Sequence, residues 1–509
     1  MSTTVEADML NKRQRETLRE QLLKALGSIP TDGSTKNWSD VYIPVSHLQA
    51  LNPERMVVEG MRGSGKSFWT GVLVNAELRR ALGNQLLGID LKASVASITQ
   101  SYAIALDTPN AASIFPSISA LPQLLALPGV KPETIWSVAI LRLFEIDPML
   151  GMPISTDPYD LWVAPITWAG LNPGRVTRAL DLLDERLASE QQVALIIFDA
   201  LDRVSHDLAE VSSITAGLLR VMLNLRFAKG LRLKAFIRED VLAQAGASVV
   251  DGSKLLNNRV KLQWTQADLY GLAFYRIAQQ SSTFRTQFER IAKAAWKLNA
   301  GRQECEAAND PSIQKLVWRV LVGDYMGKSA TTGHSYPYIF NHLSDGLGRV
   351  APRTFLTALQ AAIQATSSQY PERPHVIHHE AIKDGVREAS KARVTELREE
   401  YQWIDPALAC IKDQQKTVPI DKNDLERVWQ KNGWAVLQTI EGMREIALVP
   451  WRSGAANAEK IENLRQTLEQ IGIIKSRLKD GAERIDLPDI YRLAYRIGRY
   501  GGIPTQKKS

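Results

Sequence analysis

The chain has 509 residues, of which 45% are hydrophobic and 7% aromatic, and this composition argues against a mostly disordered protein. Two cysteines, Cys305 and Cys410, are too few for a disulfide-stapled secreted scaffold or a cysteine-rich zinc module. The formal net charge of +7 permits contact with nucleic acid but does not require it.

Residues 1–50 are predicted to form a polar, helical lead-in, because Leu18, Leu22 and Leu26 recur at helical spacing. The first residues are charged and lack the apolar region of a secretory signal. The longest uncharged stretch, residues 108–130, is interrupted by prolines, which excludes a membrane-spanning helix there. We therefore expect a cytoplasmic protein without a membrane segment.

Residues 51–265 alternate short apolar runs with amphipathic helical patterns, which predicts an α/β core built on a parallel sheet. The predicted strands are Met56–Glu59, Leu86–Asp90, Leu161–Trp168, Val193–Asp199 and Leu231–Arg238. Helices are predicted between them, including Val176–Ser189 and Asp207–Lys229.

A glycine-rich loop follows the first predicted strand. It reads Gly60-Met61-Arg62-Gly63-Ser64-Gly65-Lys66-Ser67, which fits G-x-x-x-x-G-K-[ST], and a helix is predicted from Phe68 to Leu82. Glycines let the backbone wrap around phosphates, and amide N–H groups at a helix start attract the anion. The pattern predicts a nucleotide site at Gly60–Phe68, in which Lys66 contacts the β- and γ-phosphates and Ser67 binds Mg²⁺. An ordinary glycine turn before a helix is the alternative.

The apolar run 193–198 closes with Asp199, as a buried central strand with a carboxylate at its carboxyl end would. This position predicts an Mg²⁺ ligand opposite Ser67, although a strand that simply enters a turn gives the same pattern. Ala200 stands where many ATPases place a second acid. Asp202 is then either the group that orients the attacking water or a helix cap paired with Arg203, and a cap would imply slow hydrolysis.

Two arginines are candidate sensors of the γ-phosphate. Arg238 ends a predicted strand beside the one that carries Asp199, and Arg353 opens a helix predicted over Thr354–Ala365. A surface salt bridge is the alternative for each.

Together these motifs resemble the STAND/KAP and AAA+-like branch of P-loop ATPases over about residues 50–370. The matching segments are 60–67, 199–203, 238–240, 251–255, 260–264 and 352–353. The resemblance implies ATP-driven self-association or conformational change that regulates a partner, in phage defence or in DNA-linked processes. ATP is preferred over GTP because no Asn-Lys-x-Asp guanine motif follows the loop.

The rest of the chain is predicted to hold a helical lid (266–370), a linker helix (371–420) and a winged-helix-like domain (421–509). The last is predicted from helices at 424–439 and 458–471 and a hairpin formed by 473–478 and 483–487. Its tail carries Tyr491, Arg492, Tyr495, Arg496, Arg499 and Tyr500, with Lys507 and Lys508 last, a combination that suits nucleic acid, while a protein-docking domain is the alternative. His375, His378 and His379 are assigned to a surface segment rather than to a metal site.

We therefore predict an ATP- and Mg²⁺-binding regulatory switch that hydrolyses slowly and changes its self-association or its binding of a protein partner. Lys66, Asp199, Asp202, Arg238 and Arg353 are the predicted catalytic or sensing residues. The alternatives are a DNA-binding ATPase of the loader or remodeller kind that uses residues 421–509, and a scaffold that holds ATP without hydrolysing it.

Overall fold

The computed structural model describes residues 10–27, 37–82, 93–99, 115–117, 119–144, 151–153, 161–201, 204–205, 208–299, 301–399, 401–444, 449–479 and 481–499. The chain divides into two compact units. Unit 1 consists of Met1–Ile29, Ser39–Pro44 and Trp264–Ser509, and unit 2 consists of Pro30–Trp38 and Val45–Gln263. This division does not separate the lid, the linker and the C-terminal domain, so those finer boundaries stay predictions.

The strands of the described residues are β1 (Val57–Glu59), β2 (Ala93–Thr99), β3 (Val193–Asp199), β4 (Leu231–Ile237), β5 (Val260–Lys261), β6 (Lys297–Asn299), β7 (Arg302–Glu304), β8 (Thr417–Val418), β9 (Ile420–Asp421), β10 (Lys475–Lys479), β11 (Ala482–Asp486) and β12 (Gly498–Arg499).

The α-helices of unit 2 and the helix that precedes it are α1 (Lys12–Gly27), α2 (Leu48–Leu51), α3 (Lys66–Val74), α4 (Ala76–Leu82), α5 (Leu121–Leu125), α6 (Pro132–Arg142), α7 (Val163–Leu171), α8 (Pro173–Ser189), α9 (Leu208–Asn224), α10 (Glu239–Ala247) and α11 (Ser253–Leu256). Those that follow are α12 (Gln266–Gln280), α13 (Ser282–Ala292), α14 (Pro311–Val322), α15 (Ser335–Leu343), α16 (Pro352–Gln369), α17 (His379–Arg398), α18 (Ile404–Asp413), α19 (Lys422–Glu441), α20 (Asn457–Gln470) and α21 (Asp489–Arg492).

A parallel sheet forms the centre of unit 2. Within the described residues its strand order is β2-β3-β4-β1-β5, and every adjacent pair runs parallel. Strands β3 and β4 are buried over nearly their whole length, because a parallel sheet carries helices on its faces and reads as a continuous apolar run. The predicted α/β P-loop NTPase fold is confirmed, including the strands that carry the glycine loop, Asp199 and Arg238.

The strand predicted at Leu161–Trp168 is wrong, since this stretch begins helix α7. Its apolar run is short enough to fit either element. Pro165 lies in the first turn of α7, where its missing N–H has no intrahelical acceptor to lose. The strand predicted at Leu86–Asp90 lies outside the described residues. Sequence reasoning missed β2, whose alanines and serines give a weaker apolar signal than β3.

Unit 1 is mainly helical, and its core includes the N-terminal helix α1. Leu18, Leu22 and Leu26 of α1 are buried where the helix packs against α12 and α16. The Arg19 guanidinium donates to the carbonyl oxygens of Val376 and His375 at 2.8 and 2.9 Å. The lead-in helix is therefore an integral part of unit 1. The segment predicted to be an all-helical lid also contains the antiparallel hairpin β6–β7.

A winged-helix fold occupies the C-terminal part of unit 1. Its elements follow the order α18, β9, α19, α20, β10, β11, and its strands form an antiparallel sheet in the order β10-β11-β9. The first helix, α18, lies inside the stretch predicted to be a linker. The indole N–H of Trp429 on α19 donates to the carbonyl of Ala407 on α18 at 2.9 Å, which fastens this helix to the rest.

The C-terminal tail packs into this fold. Tyr491 and Arg492 are each about 1% exposed, and Tyr495 is also buried. Burial leaves these side chains no surface for a base or a phosphate, so the predicted nucleic-acid contact through them is wrong. Among the described helices, none combines the length and the apolar character that crossing a bilayer requires.

Candidate nucleotide-binding site

The glycine-rich loop lies between strand β1 and helix α3, which is the setting that the sequence predicts. The N–H of Gly60 donates to the Ile237 carbonyl at 3.1 Å, so the start of the loop is tied to β4. Gly63 and Gly65 have φ values of 78° and 103°, a left-handed backbone that glycine adopts without a steric penalty. Gly65 is also the N-cap of α3, so the loop leads directly into the helix N-terminus.

The loop closes tightly over itself at Gly60. A Cβ atom placed on Gly60 would lie 2.4 Å from Oγ of Ser64 and 3.2 Å from Cβ of Leu262. Ser64 is buried and its N–H donates to the Met61 carbonyl at 3.2 Å. The first glycine of the motif is thus required by close packing within the loop.

Lys66 reaches back across the loop. Its Nζ donates to the carbonyl oxygens of Gly60 and Met61 at 2.8 and 2.9 Å. Ser67, the next residue, is exposed at the start of α3. The predicted single helix from Phe68 to Leu82 is instead two helices, because Asn75 ends α3 and its side chain accepts the N–H of Glu77 at 2.9 Å.

Three strand ends bring the other candidate residues to the same edge of the sheet. Strands β3, β4 and β1 are neighbours in that order, and they end at Asp199, just before Arg238, and just before Gly60. The carboxyl ends of parallel strands face one side, where ligands of α/β sheets bind. Asp199 is about 6% exposed, so its carboxylate is held in a largely buried position.

The residue after Asp199 adopts an unusual backbone conformation. Ala200 has a φ of 56°, and a non-glycine residue in the left-handed region carries backbone strain. Strain of this kind persists where the surrounding structure fixes the chain. The turn that follows Asp199 is therefore constrained at Ala200.

Arg238 is held by a carboxylate two residues further along the chain. Its Nε and Nη2 atoms lie 3.0 and 2.6 Å from the two carboxylate oxygens of Asp240, a bidentate ion pair with both side chains largely buried. Burial alone would raise the pKa of Asp240. The charge and hydrogen bonds of Arg238, a backbone hydrogen bond and the Lys66 ammonium together outweigh burial, so the pKa of Asp240 is lowered. Asp240 therefore stays ionised next to the loop.

Sequence reasoning did not single out Asp240 as a site residue, although the Arg238-Glu239-Asp240 run was noted. It also missed Glu59, the last residue of β1. Oε1 of Glu59 lies 2.9 Å from both Nε of Arg259 and Nζ of Lys261, and Glu59 is about 5% exposed. These partners are 200 and 202 positions away in the sequence, so no local sequence pattern predicts the contacts. These two ion pairs connect β5 and the residue before it to β1, the strand that precedes the loop.

The other two predicted residues, Asp202 and Arg353, are not among the described residues of unit 2. Asp202, with its neighbour Arg203, lies outside the described residues. Arg353 belongs to unit 1, where it starts helix α16 and its Nη1 lies 3.3 Å from Oε1 of Glu396 on α17. The salt bridge considered for Arg353 therefore exists in this structure.

The donor set suits magnesium better than a transition metal. Within the described residues, no group of three or more His, Cys, Asp or Glu side chains is arranged to hold a metal ion. Ser67 and Asp199 offer one hydroxyl and one carboxylate, and Mg²⁺ is commonly held by one or two protein oxygens together with phosphate and water oxygens. Of the three histidines near residue 375, His378 caps α17, where its Nδ1 accepts the Glu380 N–H at 3.3 Å.

The comparisons with known proteins return structural similarity alone. No family model matches the chain, and no curated protein matches it by sequence. The ORC2 protein of Aeropyrum pernix, solved as ADPNP–ADP complexes, shares 12% identity with a TM-score of 0.41, over 92% of this chain and 95% of that one. Its ADP form gives 12% identity and a TM-score of 0.31, over 89% and 93%. Values this low do not assign a function to the chain.

Proposed function

We propose that the chain binds ATP with Mg²⁺ at residues 60–68 and acts as a slowly hydrolysing regulatory switch. The observation that carries the proposal is the conformation of the loop. Its Lys66 ammonium donates to the carbonyl oxygens of Gly60 and Met61, next to the N-terminus of helix α3. Amides at a helix start and one mobile ammonium are the groups that receive a triphosphate.

In this proposal Lys66 exchanges its two carbonyl partners for the β- and γ-phosphate oxygens. A lysine ammonium on a flexible stem can make this exchange, because its carbonyl hydrogen bonds are weaker than contacts with a charged phosphate. Ser67 and Asp199 are the proposed Mg²⁺ ligands, and the ion would neutralise charge on the phosphates. Gly60 to Phe68 supply the remaining contacts through the backbone.

Arg238 is the proposed sensor of the γ-phosphate, positioned by Asp240. The bidentate pair fixes the guanidinium plane, and a fixed cation at the strand end responds to whether the third phosphate is present. Arg353 remains a second proposed sensor, and Asp202 remains the proposed group that orients water. Ala200 occupies the position of the usual second acid, which supports slow rather than rapid turnover.

The regulatory part of the proposal concerns self-association and a protein partner. Nucleotide state would shift the equilibrium between two conformations that differ in binding, in a homo-oligomer and in a regulatory or defence role of the kind the sequence resemblance implies. Sedimentation of the full chain with ADP and with a non-hydrolysable ATP analogue tests this step. Equal sedimentation in both states would contradict a nucleotide-dependent change in self-association.

The binding step is tested with a matched pair of lysine variants. Lys66→Ala is expected to lower Mg·ATP affinity about 10- to 100-fold, which corresponds to the free energy lost when one charge-assisted hydrogen bond is removed. Lys254→Ala removes an exposed lysine of the same unit, paired with Asp251, and is expected to leave affinity unchanged. Titration calorimetry with Mg·ATP measures both, and equal affinities of Lys66→Ala and the wild type would contradict the assignment.

Hydrolysis is tested separately from binding. Single-turnover assays of the wild type and Asp202→Ala are expected to show slow cleavage that is lowered further in the variant. Binding without cleavage in the wild type would favour the scaffold that only holds ATP. Wild-type rates in Asp202→Ala would assign Asp202 to the helix cap instead.

A further inference from the structure

We propose that the hairpin β10–β11 of the winged-helix fold binds the sugar-phosphate backbone of a nucleic-acid duplex, and that helix α20 is not the nucleic-acid-binding element. This inference goes beyond the nucleotide switch and does not depend on it. It follows from the distribution of charge over the two elements.

Strand β10 is the edge strand of the sheet and carries exposed cations on one face. Lys475 and Arg477 are alternate residues of β10, so their side chains share a face. Lys475 is exposed, and the Arg477 side chain is 59% exposed. Leu478, nearer the turn, is 83% exposed, which is unusual for a leucine. The edge strand therefore presents positive charge on one face and an apolar side chain on the other face near the turn.

Two carboxylates of the same sheet, Asp486 and Asp421, lie on strands β11 and β9. Asp486, opposite Lys475, is about 5% exposed and is bound by Arg499, while its distance to Arg477 is 3.6 Å. Asp421 on β9 accepts the N–H of Asn423 at 3.0 Å and so caps α19. Asp486 thus shares its charge between Arg499 and Arg477, and Asp421 serves as a helix cap, while the side chains of Lys475 and Arg477 remain exposed on the outer edge.

A further acid of the hairpin, Glu483, lies on the opposite face from Lys475 and Arg477. It is paired in register with Leu478, and its oxygens lie 3.4 Å from Lys422 and 3.8 Å from Arg465. Arg484 shares the face of Arg477, to which it is directly opposite. Two arginines placed side by side in a sheet repel each other. Asp421, directly opposite Arg484 on β9, offsets part of this repulsion, and a phosphate at the outer edge would offset the rest.

Helix α20 has the opposite character. Its ionisable residues are Glu459, Lys460, Glu462, Arg465 and Glu469, so acids outnumber bases. Lys460 lies 3.0 Å from Glu441, and Arg465 lies 2.6 and 3.2 Å from Glu462 and Glu469. Both cations of the helix are committed to carboxylates. A helix of this charge repels a phosphate backbone, whereas the hairpin attracts it.

Contact through the hairpin would be independent of base sequence. Lys and Arg side chains on phosphates fix the position of a protein on a duplex and carry no sequence information directly. Leu478 could pack against sugars in the minor groove, as exposed apolar side chains of groove-binding proteins do. Edge lysines also protect a sheet from pairing with another chain, and that protective role is the competing explanation of Lys475.

The test uses the full chain without nucleotide and fluorescence anisotropy with labelled duplexes about 30 bp long. Two DNA duplexes of unrelated sequence and one RNA duplex are titrated over salt concentrations from about 50 to about 300 mM. Similar affinity for the two DNA sequences is expected, and comparison with RNA distinguishes the two sources of the same phosphate chemistry. Lys66→Ala is expected to bind equally well, which separates this proposal from the nucleotide switch.

The variants compare the hairpin with the helix. The double variant Lys475→Gln/Arg477→Gln is expected to lose about 10-fold or more in affinity, and the slope of log Kd against log salt should fall by about 2. Arg427→Gln removes an arginine of α19 that is 75% exposed, and Gln466→Ala alters an exposed residue of α20. Both controls are expected to bind like the wild type. Thermal melting verifies that all variants fold.

Three results would overturn the proposal. The first is no duplex binding by the wild type at the lowest salt, which would leave the edge cations to the protective role. The second is wild-type binding by the hairpin double variant together with weaker binding by Gln466→Ala, which would make α20 the contact. The third is binding of polyglutamate in preference to every duplex, which would indicate an acidic protein partner.

Discussion

Trp69 on helix α3 donates its indole N–H to Nδ1 of His47 at 3.0 Å. Nε2 of the same ring lies 3.1 Å from the carbonyl oxygen of Gln263, which can only accept a hydrogen bond. The proton of a neutral His47 is therefore on Nε2, and Nδ1 is the acceptor. Through one imidazole, helix α3 is tied to Gln263, which lies two residues after the end of β5.

Replacing Trp69 with phenylalanine should destabilise unit 2 by about 1–3 kcal/mol, because the buried Nδ1 of His47 loses its donor. Trp318→Phe is the matched control. Both indoles are about 1–2% exposed, but Nε1 of Trp318 has no hydrogen-bond partner among the described residues. Denaturant unfolding of the two variants measures the difference, and equal losses would show that the Trp69 hydrogen bond contributes nothing.

The His47 ring should make folding sensitive to acid. Burial lowers its pKa to about 4, although the Gln263 hydrogen bond opposes the shift. Between about pH 6.5 and 4 the unfolded chain binds this proton and the folded chain does not. The free energy of unfolding therefore decreases as the pH is lowered through this range, by up to about 1.4 kcal/mol per pH unit. His47→Gln lacks this term. Unfolding at several pH values should show the wild type approaching the variant as the pH falls, and a constant difference would contradict the assignment.

Removing the charge of Asp240 should weaken discrimination between ATP and ADP. Asp240→Asn keeps the shape of the side chain but loses the ionic, bidentate hold on Arg238. We expect ATP affinity or turnover to fall about 10-fold or more, with a smaller effect on ADP, because a γ-phosphate sensor does not contact ADP. Asp251→Asn, an exposed acid of the same unit, is the control. Equal losses for both nucleotides would indicate a structural role.

A methyl group at Gly60 should deform the loop. In Gly60→Ala the new Cβ would lie 2.4 Å from Ser64 Oγ and 3.2 Å from Leu262 Cβ, so these neighbours must shift, and we expect about 10-fold or greater loss of nucleotide affinity. Gly174→Ala adds the same methyl group to helix α8, where no atom lies within 4 Å, and should stabilise the protein by about 0.4–1 kcal/mol. Nucleotide titration and thermal melting separate the two effects.

Local chemistry explains which parts of the site could be predicted from the sequence. The glycines between Gly60 and Ser67 determine the backbone conformation of the loop. Asp199 ends a strand whose consecutive apolar residues indicate that it is buried. The hairpin β10–β11 was likewise predictable from alternation around a two-residue turn. In each case a few neighbouring residues decide the conformation.

Distant partners explain what the sequence could not reveal. The cations that neutralise Glu59 are Lys261 of β5 and Arg259, the residue before that strand, and the acceptor for His47 lies 216 positions away. Neither pairing has a local pattern. Helix α7 was mistaken for a strand because a short apolar run fits both periodicities, and its surroundings decide between them. Burial of Tyr491 and Arg492 is likewise set by the helices around them.

Helix α1 has a consequence for synthesis of the protein on the ribosome. Its apolar stripe packs on α12 and α16, and Arg19 donates to a carbonyl 357 positions later in the chain. At about 5–20 residues per second, roughly 20–70 s separate translation of these two partners. Unit 2 is translated in full before α12, the first of these two helices. The leucines of α1 that are buried in the folded protein therefore stay exposed on the nascent chain during most of its translation. We expect the amount of soluble protein to depend on the concentration of chaperones during expression.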